Sequence, residues 1–94
     1  METNQEKMVA YYNQCVEWAK IVGLKRDVQL TTSVVGEELH SIGLSIFKRN
    51  EKGGLIFVKG EVQGKHYFFY GWTGEENEQT FKKLQAYVHR YFCK

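Results

Sequence analysis

The first periodic stretch of the chain has the spacing of a helix. Between Glu6 and Val22, apolar side chains recur three and four residues apart, which places them on one side of an α-helix. The stripe contains Met8, Tyr11, Tyr12, Cys15, Trp18, Ala19 and Val22. Gly23 follows as the expected left-handed stop, and Lys20 lies in the last turn, where a cation interacts favourably with the helix dipole. The pattern predicts an amphipathic first helix.

Beyond this helix the period changes to two, which predicts strands. Apolar and polar residues alternate in four runs, and the turn-rich sequence 50–54 separates the second run from the third. Gln63 and Gly64 predict a two-residue hairpin turn between the third run and the fourth. The predicted strands cover residues 27–34, 41–47, 55–62 and 65–72. Together they form a four-stranded antiparallel meander.

A second helix is predicted after Thr73. Thr73 precedes Glu76 by three residues, which is the spacing of a capping box, and Glu75 and Glu78 add negative charge to the helix N-terminus. Its apolar stripe contains Phe81, Leu84, Tyr87, Val88, Tyr91 and Phe92, and Arg90 and Lys94 follow at the cationic end. The sequence therefore predicts one α+β domain over residues 1–94, in the order α-β-β-β-β-α, with the meander packed by two helices.

Hairpin register assigns the strand side chains to two faces, because residues paired across a hairpin share a face. The turns pair Val58 with Phe69 and Phe57 with Tyr70. One face is then aliphatic, with Val28, Leu30, Val34, Ile42, Leu44, Ile46, Ile56, Val58, Val62, Tyr67 and Phe69. The other is aromatic with charges at its margins, and it contains Phe47, Arg49, Leu55, Phe57, Lys59, Glu61, His66, Phe68, Tyr70 and Trp72.

The aromatic face is the predicted binding surface. Aromatic residues make up 15% of the chain. Two helices at 8–10 Å spacing span nearly the ~19 Å width of four strands, so both fit on the aliphatic face. A bare aromatic face would be an apolar patch large enough to indicate an interface. The alternative is one helix on each face, with the rings as ordinary core. The predicted partner-binding residues are Phe47, Arg49, Leu55, Phe57, Lys59, Phe68, Tyr70 and Trp72.

No catalytic or metal-binding motif is evident in the sequence. The three histidines lie in different predicted elements, and His89 and Cys93, four residues apart, are the one pair with a ligand-like spacing. The sequence 50–54 lacks the spacing of a phosphate-binding loop. Cys15 lies on the apolar stripe of the first helix, which favours an inert core thiol over a nucleophile. We therefore predict no enzyme activity, metal, cofactor or small-molecule substrate.

Charge and cysteine content narrow the class of partner. Thirteen basic and eleven acidic residues give a net charge of +2, which is no general signal for polyanion binding. A local signal does exist, because cations cluster around the two predicted hairpins beside the rings, at Lys48, Arg49, Lys52, Lys59 and Lys65. The sequence indicates neither a signal peptide nor a membrane span, and its two cysteines are predicted to be free thiols. These features predict a cytoplasmic protein without a membrane partner.

The predicted function is a small non-catalytic protein-binding module of the adaptor, immunity or inhibitor type. It would bind a protein partner through the aromatic face, or form a homodimer through the sheet face or edges. The alternative is a single-stranded nucleic-acid-binding protein that uses the same aromatic and basic face. Salt separates the two, since binding through phosphates weakens steeply as ionic strength rises.

Overall fold

The helices and the sheet follow the predicted order, but one predicted strand is absent from the sheet. The computed structural model describes residues 3–93. Its elements are α1 (Asn4–Gly23), β1 (Val28–Val35), β2 (Glu38–Phe47), β3 (Phe57–Val58), β4 (Glu61–Val62), β5 (Gly64–Tyr70) and α2 (Gly74–Tyr91). β1, β2 and β5 form an antiparallel sheet in the order β1-β2-β5, and β3 and β4 form a separate two-stranded hairpin. The fold is therefore α+β with a three-stranded main sheet.

The prediction of a four-stranded meander was wrong because β5 pairs directly with β2. Ile42 lies opposite Phe69 and Ile46 lies opposite Lys65, whereas the predicted register placed Val58 opposite Phe69. β5 begins at Gly64, where a side chain would overlap the backbone of Ile46. Glycine at this position lets the strand join β2 without a steric conflict.

The predicted third strand is instead a short hairpin with its own turn. Lys59 and Gly60 both have positive φ, 52° and 81°, as a type I′ hairpin turn requires. The turn pairs Val58 with Glu61 and Phe57 with Val62. The predicted turn at residues 63–64 therefore lies outside the real hairpin, and residues 48–63 form an excursion between β2 and β5.

The first helix packs as its apolar stripe predicts. The side chain of Thr3 accepts a hydrogen bond of 3.1 Å from the N–H of Glu6 and caps the N-terminus. The buried side chains are Met8, Tyr11, Cys15, Trp18 and Val22. α1 ends at Gly23 as expected, but the left-handed stop was wrong, since the chain continues into a right-handed cap at Leu24, whose N–H donates to the carbonyl of Ile21.

Both helices lie on the same face of the main sheet. α1 contacts β1, β2 and β5, and α2 contacts β5 and α1. One apolar core results, formed by Met8, Tyr11, Cys15, Trp18, Val22, Ile42, Leu44, Ile46, Phe69, Leu84 and Val88. The alternative with one helix on each face is therefore wrong. Ile56, Val58 and Val62, which were assigned to the aliphatic face, belong to the excursion and lie outside this buried core.

The start of α2 differs from the predicted capping box. The side chain of Thr73 makes no cap hydrogen bond with the helix, and its hydroxyl donates to the carbonyl of Tyr70 at 3.4 Å. Tyr91, which was assigned to the apolar stripe, is about half exposed. Asn77, which was not assigned to the stripe although it lies four residues before Phe81, is 3% exposed. The first turn of α2 is therefore held by a polar contact that the sequence did not reveal.

Asn77 completes the hydrogen bonding of β5 at its last residue. Its Oδ1 accepts from the backbone N–H of Tyr70 at 2.7 Å, and its Nδ2 donates to the carbonyl of the same residue. The amide side chain thus supplies the two bonds that a neighbouring strand would supply to Tyr70.

Candidate functional site

The face of the main sheet opposite the helices is uncovered by either helix. Side chains alternate along each strand, so this face holds every second residue of β5, and of β1 and β2 up to the register shift between Ser33 and Val34. We call it the open face, and it comprises Gln29, Thr31, Ser33, Ser41, Gly43, Ser45, Phe47, His66, Phe68 and Tyr70, together with Trp72 just after β5. None of these side chains is a carboxylate, an ammonium or a guanidinium group. The open face is therefore close to neutral.

Aromatic rings form a row along the β5 side of the open face. The ring centroids of Phe68 and Tyr70 are 6.4 Å apart, and those of Tyr70 and Trp72 are 5.2 Å apart. The imidazole of His40 extends the row, with its centroid 4.4 Å from that of Trp72. We call these four residues the aromatic row. Their rings are offset and tilted relative to one another, which is the arrangement that aromatic pairs prefer.

Two rings of the aromatic row are substantially exposed. Trp72 is 60% exposed and Phe68 is 49% exposed, whereas Tyr70 is partly buried. Phe68 lies opposite Gly43 in β2, and a Cβ on Gly43 would come within 3.2 Å of its ring. Glycine therefore lets the Phe68 ring lie down on the central strand, with the rest of its surface open to contact.

The remainder of the open face is a low floor of small polar groups that pair with one another. The hydroxyls of Ser33 and Ser41 are 2.6 Å apart, and Nδ1 of His66 is 2.9 Å from the hydroxyl of Ser45. The ring of His66 also lies against Phe47, at 6.3 Å between centroids. When a partner covers polar groups that are already hydrogen-bonded, the desolvation free energy is smaller than for unpaired groups. This floor therefore suits an interface.

The predicted site divides into two groups in the structure. Phe47, Phe68, Tyr70 and Trp72 lie on or beside the open face, as the strand alternation predicts. Arg49, Leu55, Phe57 and Lys59 lie in the excursion of residues 48–63 instead, where Phe57 is 60% exposed. Their assignment to the same sheet face was wrong because it depended on the absent third strand.

Two of the predicted cations point away from the aromatic row. Lys65 lies on the helix side of β5, with its Nζ 4.6 Å from the ring centroid of Tyr87 in α2. The guanidinium of Arg49 forms an ion pair with Asp27 and donates to the carbonyl of Gly53. These contacts hold both cations in local interactions at the end of the sheet.

The described residues hold no assembled metal site. No group of three His, Cys, Asp or Glu side chains within residues 3–93 is placed to bind a metal ion. The helices in that range are also too short or too polar to cross a membrane. Cys15 is buried, and its burial raises the pKa of the thiol to about 12, whereas Cys93 is exposed. A thiol with such a pKa is a poor nucleophile at neutral pH.

We expect the two thiols to react very differently in the folded protein. Iodoacetamide at about pH 8 should modify Cys93 within minutes and leave Cys15 unmodified, because alkylation requires an exposed thiolate. Mass spectrometry should show one adduct under native conditions and two in guanidinium chloride. A Cys93→Ser variant provides the control and should gain no adduct while folded. Equal modification of both cysteines in the native protein would contradict the buried position of Cys15.

Comparisons with known proteins do not assign the chain to a family. No family model matches it, and no curated protein and no solved structure is significantly similar to it. The functional argument therefore rests on the geometry of the open face and the aromatic row.

Proposed function

We propose that this chain is a small non-catalytic module that binds a partner protein on its open face. The observation that carries the proposal is the aromatic row, in which Trp72 and Phe68 are 60% and 49% exposed on a sheet face that neither helix covers. Clustered exposed rings are uncommon on monomeric proteins unless they serve binding. Buried aromatic side chains also contribute much of the energy of protein interfaces.

The chemistry of the open face favours an apolar and weakly charged partner surface. The face carries no charged side chain, so covering it strands no unpaired charge. The ridge of rings stands beside a floor of Ser41, Gly43 and Ser45, and a complementary partner would place larger apolar side chains over that floor. Adaptor, immunity and inhibitor proteins act by covering a surface of another protein in this way. Free thiols at Cys15 and Cys93 favour a cytoplasmic location.

The neutral open face favours a protein partner over a single-stranded nucleic acid. A nucleic-acid site needs cations beside its stacking rings to neutralise phosphates. Lys65 instead faces α2, and Arg49 is bound to Asp27. The rings are suited to stacking, but local contacts hold these two cations away from them.

A comparison of two exposed aromatic residues tests this proposal. Trp72 on the open face is 60% exposed and Tyr91 on α2 is 52% exposed, so Trp72→Ser and Tyr91→Ser remove similar exposed rings from different surfaces. Immobilised wild-type protein and both variants are incubated with nuclease-treated lysate of the source organism. The captured partner is then purified, and its affinity for each form is measured by calorimetry.

We expect Trp72→Ser to weaken partner binding at least about tenfold, which is ~1.4 kcal/mol, and Tyr91→Ser to leave it nearly unchanged. Binding should persist at about 0.5 M salt, because an apolar contact is not screened. Equal loss in both variants would contradict the open face as the binding surface. Tight binding of a labelled single-stranded oligonucleotide that disappears at this salt would support the nucleic-acid function instead.

A further inference from the structure

β5 presents an unpaired edge. Among residues 3–93, β2 is the one strand that pairs with β5. The N–H of Gly71 donates to the carbonyl of His40 in β2, whereas the N–H of Tyr70 points the opposite way, to Asn77. Because backbone groups alternate along a strand, the N–H and C=O groups of Phe68 and His66 also point away from β2.

These outward groups have no backbone partner in the described part of the chain. Asn77 supplies both hydrogen bonds of Tyr70, but its single amide reaches no further along β5. Phe68 and His66 thus leave two N–H donors and two C=O acceptors along an exposed strand edge. Such an edge is a template for pairing with another strand.

The edge opens into a groove between β5 and α2. His66, Phe68 and Tyr70 line its strand side, and Glu76 and Lys83 line its helix side. A second depression, which shares His66 and Lys83 with the first, continues the groove along α2. The groove lies beside the outward groups of Phe68 and His66, with α2 along one flank.

The charges of α2 indicate what occupies this edge. Glu76 and Lys83 are seven residues apart, so they lie on the same side of the helix, at opposite ends of the groove. The other acids of this half are Glu75 and Glu78, and Glu78 is already paired with Lys7 of α1 at 2.5 Å, a contact that lowers the pKa of its carboxyl. The groove therefore has an acidic end beside Tyr70 and a basic end beside His66.

We propose that a second copy of this chain pairs with β5 edge to edge, antiparallel across a two-fold axis. Phe68 of each copy then lies opposite His66 of the other, and the outward N–H and C=O groups of both residues are paired. The two main sheets join into one six-stranded sheet. The same rotation places Glu76 of one α2 beside Lys83 of the other, twice per dimer. This self-complementarity of charge favours a second copy over an unrelated strand.

The pairing also extends the open face. Phe68 and His66 have their side chains on that face, so the aromatic rows of the two copies meet at the two-fold axis. The inference uses the strand edge and α2, and it does not rest on the proposed function. The Trp72→Ser variant is therefore expected to lose partner binding and still to form the dimer.

A proline substitution tests the strand edge. His66→Pro removes the outward N–H but no bond to β2, whereas His66→Ala removes the imidazole and keeps the N–H. In sedimentation equilibrium from about 10 to 500 μM, wild-type protein should dimerise. We expect a dissociation constant at least about tenfold higher for His66→Pro and within about threefold of wild type for His66→Ala. Circular dichroism checks that both variants are folded.

A charge exchange tests the contact across the axis without touching the strand. Glu76→Lys and Lys83→Glu should each weaken self-association at least about fivefold at low salt, because in a dimer of either variant the new side chain faces a like charge of the second copy. An equimolar mixture of the two variants should form heterodimers, since each then meets an opposite charge. Exposed helix positions such as these tolerate substitution, so folding is not at risk.

Amide hydrogen exchange assigns the interface directly. The amides of residues 66 and 68 should exchange rapidly in dilute protein and become protected at concentrations where the dimer forms. A strictly monomeric protein at about 500 μM would overturn the inference. So would a dimer that survives His66→Pro but is lost on Trp72→Ser, because that result would place self-association on the open face.

Discussion

Phe69→Ala is expected to lower the free energy of unfolding by about 3–5 kcal/mol. Phe69 is fully buried, its ring centroid lies 5.0 Å from that of Tyr11 in α1, and it pairs with Ile42 in β2. Removing the ring leaves a cavity between the sheet and the helix that neither side can close. A loss of this size is a large fraction of the stability of a small domain.

Neighbouring residues of the same segment provide the control. Trp72→Ser is expected to cost less than about 1 kcal/mol, because Trp72 is 60% exposed. Tyr70→Ser should cost more than Trp72→Ser, since Tyr70 is partly buried, but well below Phe69→Ala. Phe69→Leu, at about 1–2 kcal/mol, keeps the comparison measurable if the alanine variant does not fold.

Urea unfolding followed by circular dichroism decides whether the rings of Tyr70 and Trp72 belong to a second core or to the open face. We expect the midpoint to fall sharply for Phe69→Ala with an unchanged slope, which indicates a change in stability rather than in compactness. If Trp72→Ser and Tyr70→Ser lowered the stability as much as Phe69→Ala does, the open face would be a second core. The surface proposed for partner binding would then have lost its physical basis.

The helices and the strands of the main sheet were predictable from periodicity alone. The apolar stripe of α1 requires that one side of the helix be buried. The alternation of β5 assigns Phe69 to the core and Phe68 to the opposite face, whichever strand lies next to β5. The assignment of Phe68, Tyr70 and Trp72 to the face away from the core therefore survived the wrong register, whereas His40 had not been assigned to it. Arg49 and Phe57 were misplaced because their position depended on a long-range pairing, not on local alternation.

The false third strand shows why local pattern was insufficient. Residues 55–62 alternate well enough for a strand. Two of them, Lys59 and Gly60, have positive φ, but only the glycine signals a turn, because lysine rarely adopts this conformation. Gly64 was assigned to a turn, although its missing side chain serves the close approach to Ile46. A glycine signals unusual backbone geometry without saying which kind.

Asn77 was beyond sequence analysis because its role arises from the edge position of β5. The spacing of α2 does place residue 77 on its apolar stripe, four residues before Phe81 and seven before Leu84, but it does not say which groups a polar side chain there would bind. Its burial is explained once Tyr70 is seen to lack a strand neighbour on its outer side, so that its N–H and C=O require another partner. The same edge, two residues earlier, remains open at Phe68.

Asn77→Ala is expected to cost about 2–4 kcal/mol, because it leaves both backbone groups of Tyr70 without a partner in a partly buried site. Asn13→Ala, which removes an exposed amide from α1, should cost less than about 0.5 kcal/mol and serves as the matched control. Urea unfolding at neutral pH measures both. Equal small losses would show that water replaces the Asn77 amide and that it does not secure the end of β5.

Asn77→Asp adds a test of the hydrogen-bond directions through its pH dependence. One carboxylate oxygen can accept from the N–H of Tyr70, but the other then faces the Tyr70 carbonyl, and this repulsion together with burial raises the pKa of the new carboxyl above its unfolded value of about 3.9. When protonated, the group donates to that carbonyl as Nδ2 of Asn77 does.

The resulting stability is fully present below about pH 3.9 and is lost as pH rises through the folded-state pKa. The stability deficit of Asn77→Asp relative to wild type should therefore shrink between about pH 7 and pH 4, while that of Asn77→Ala stays constant. A pH-independent deficit in Asn77→Asp would contradict the donor role assigned to Nδ2.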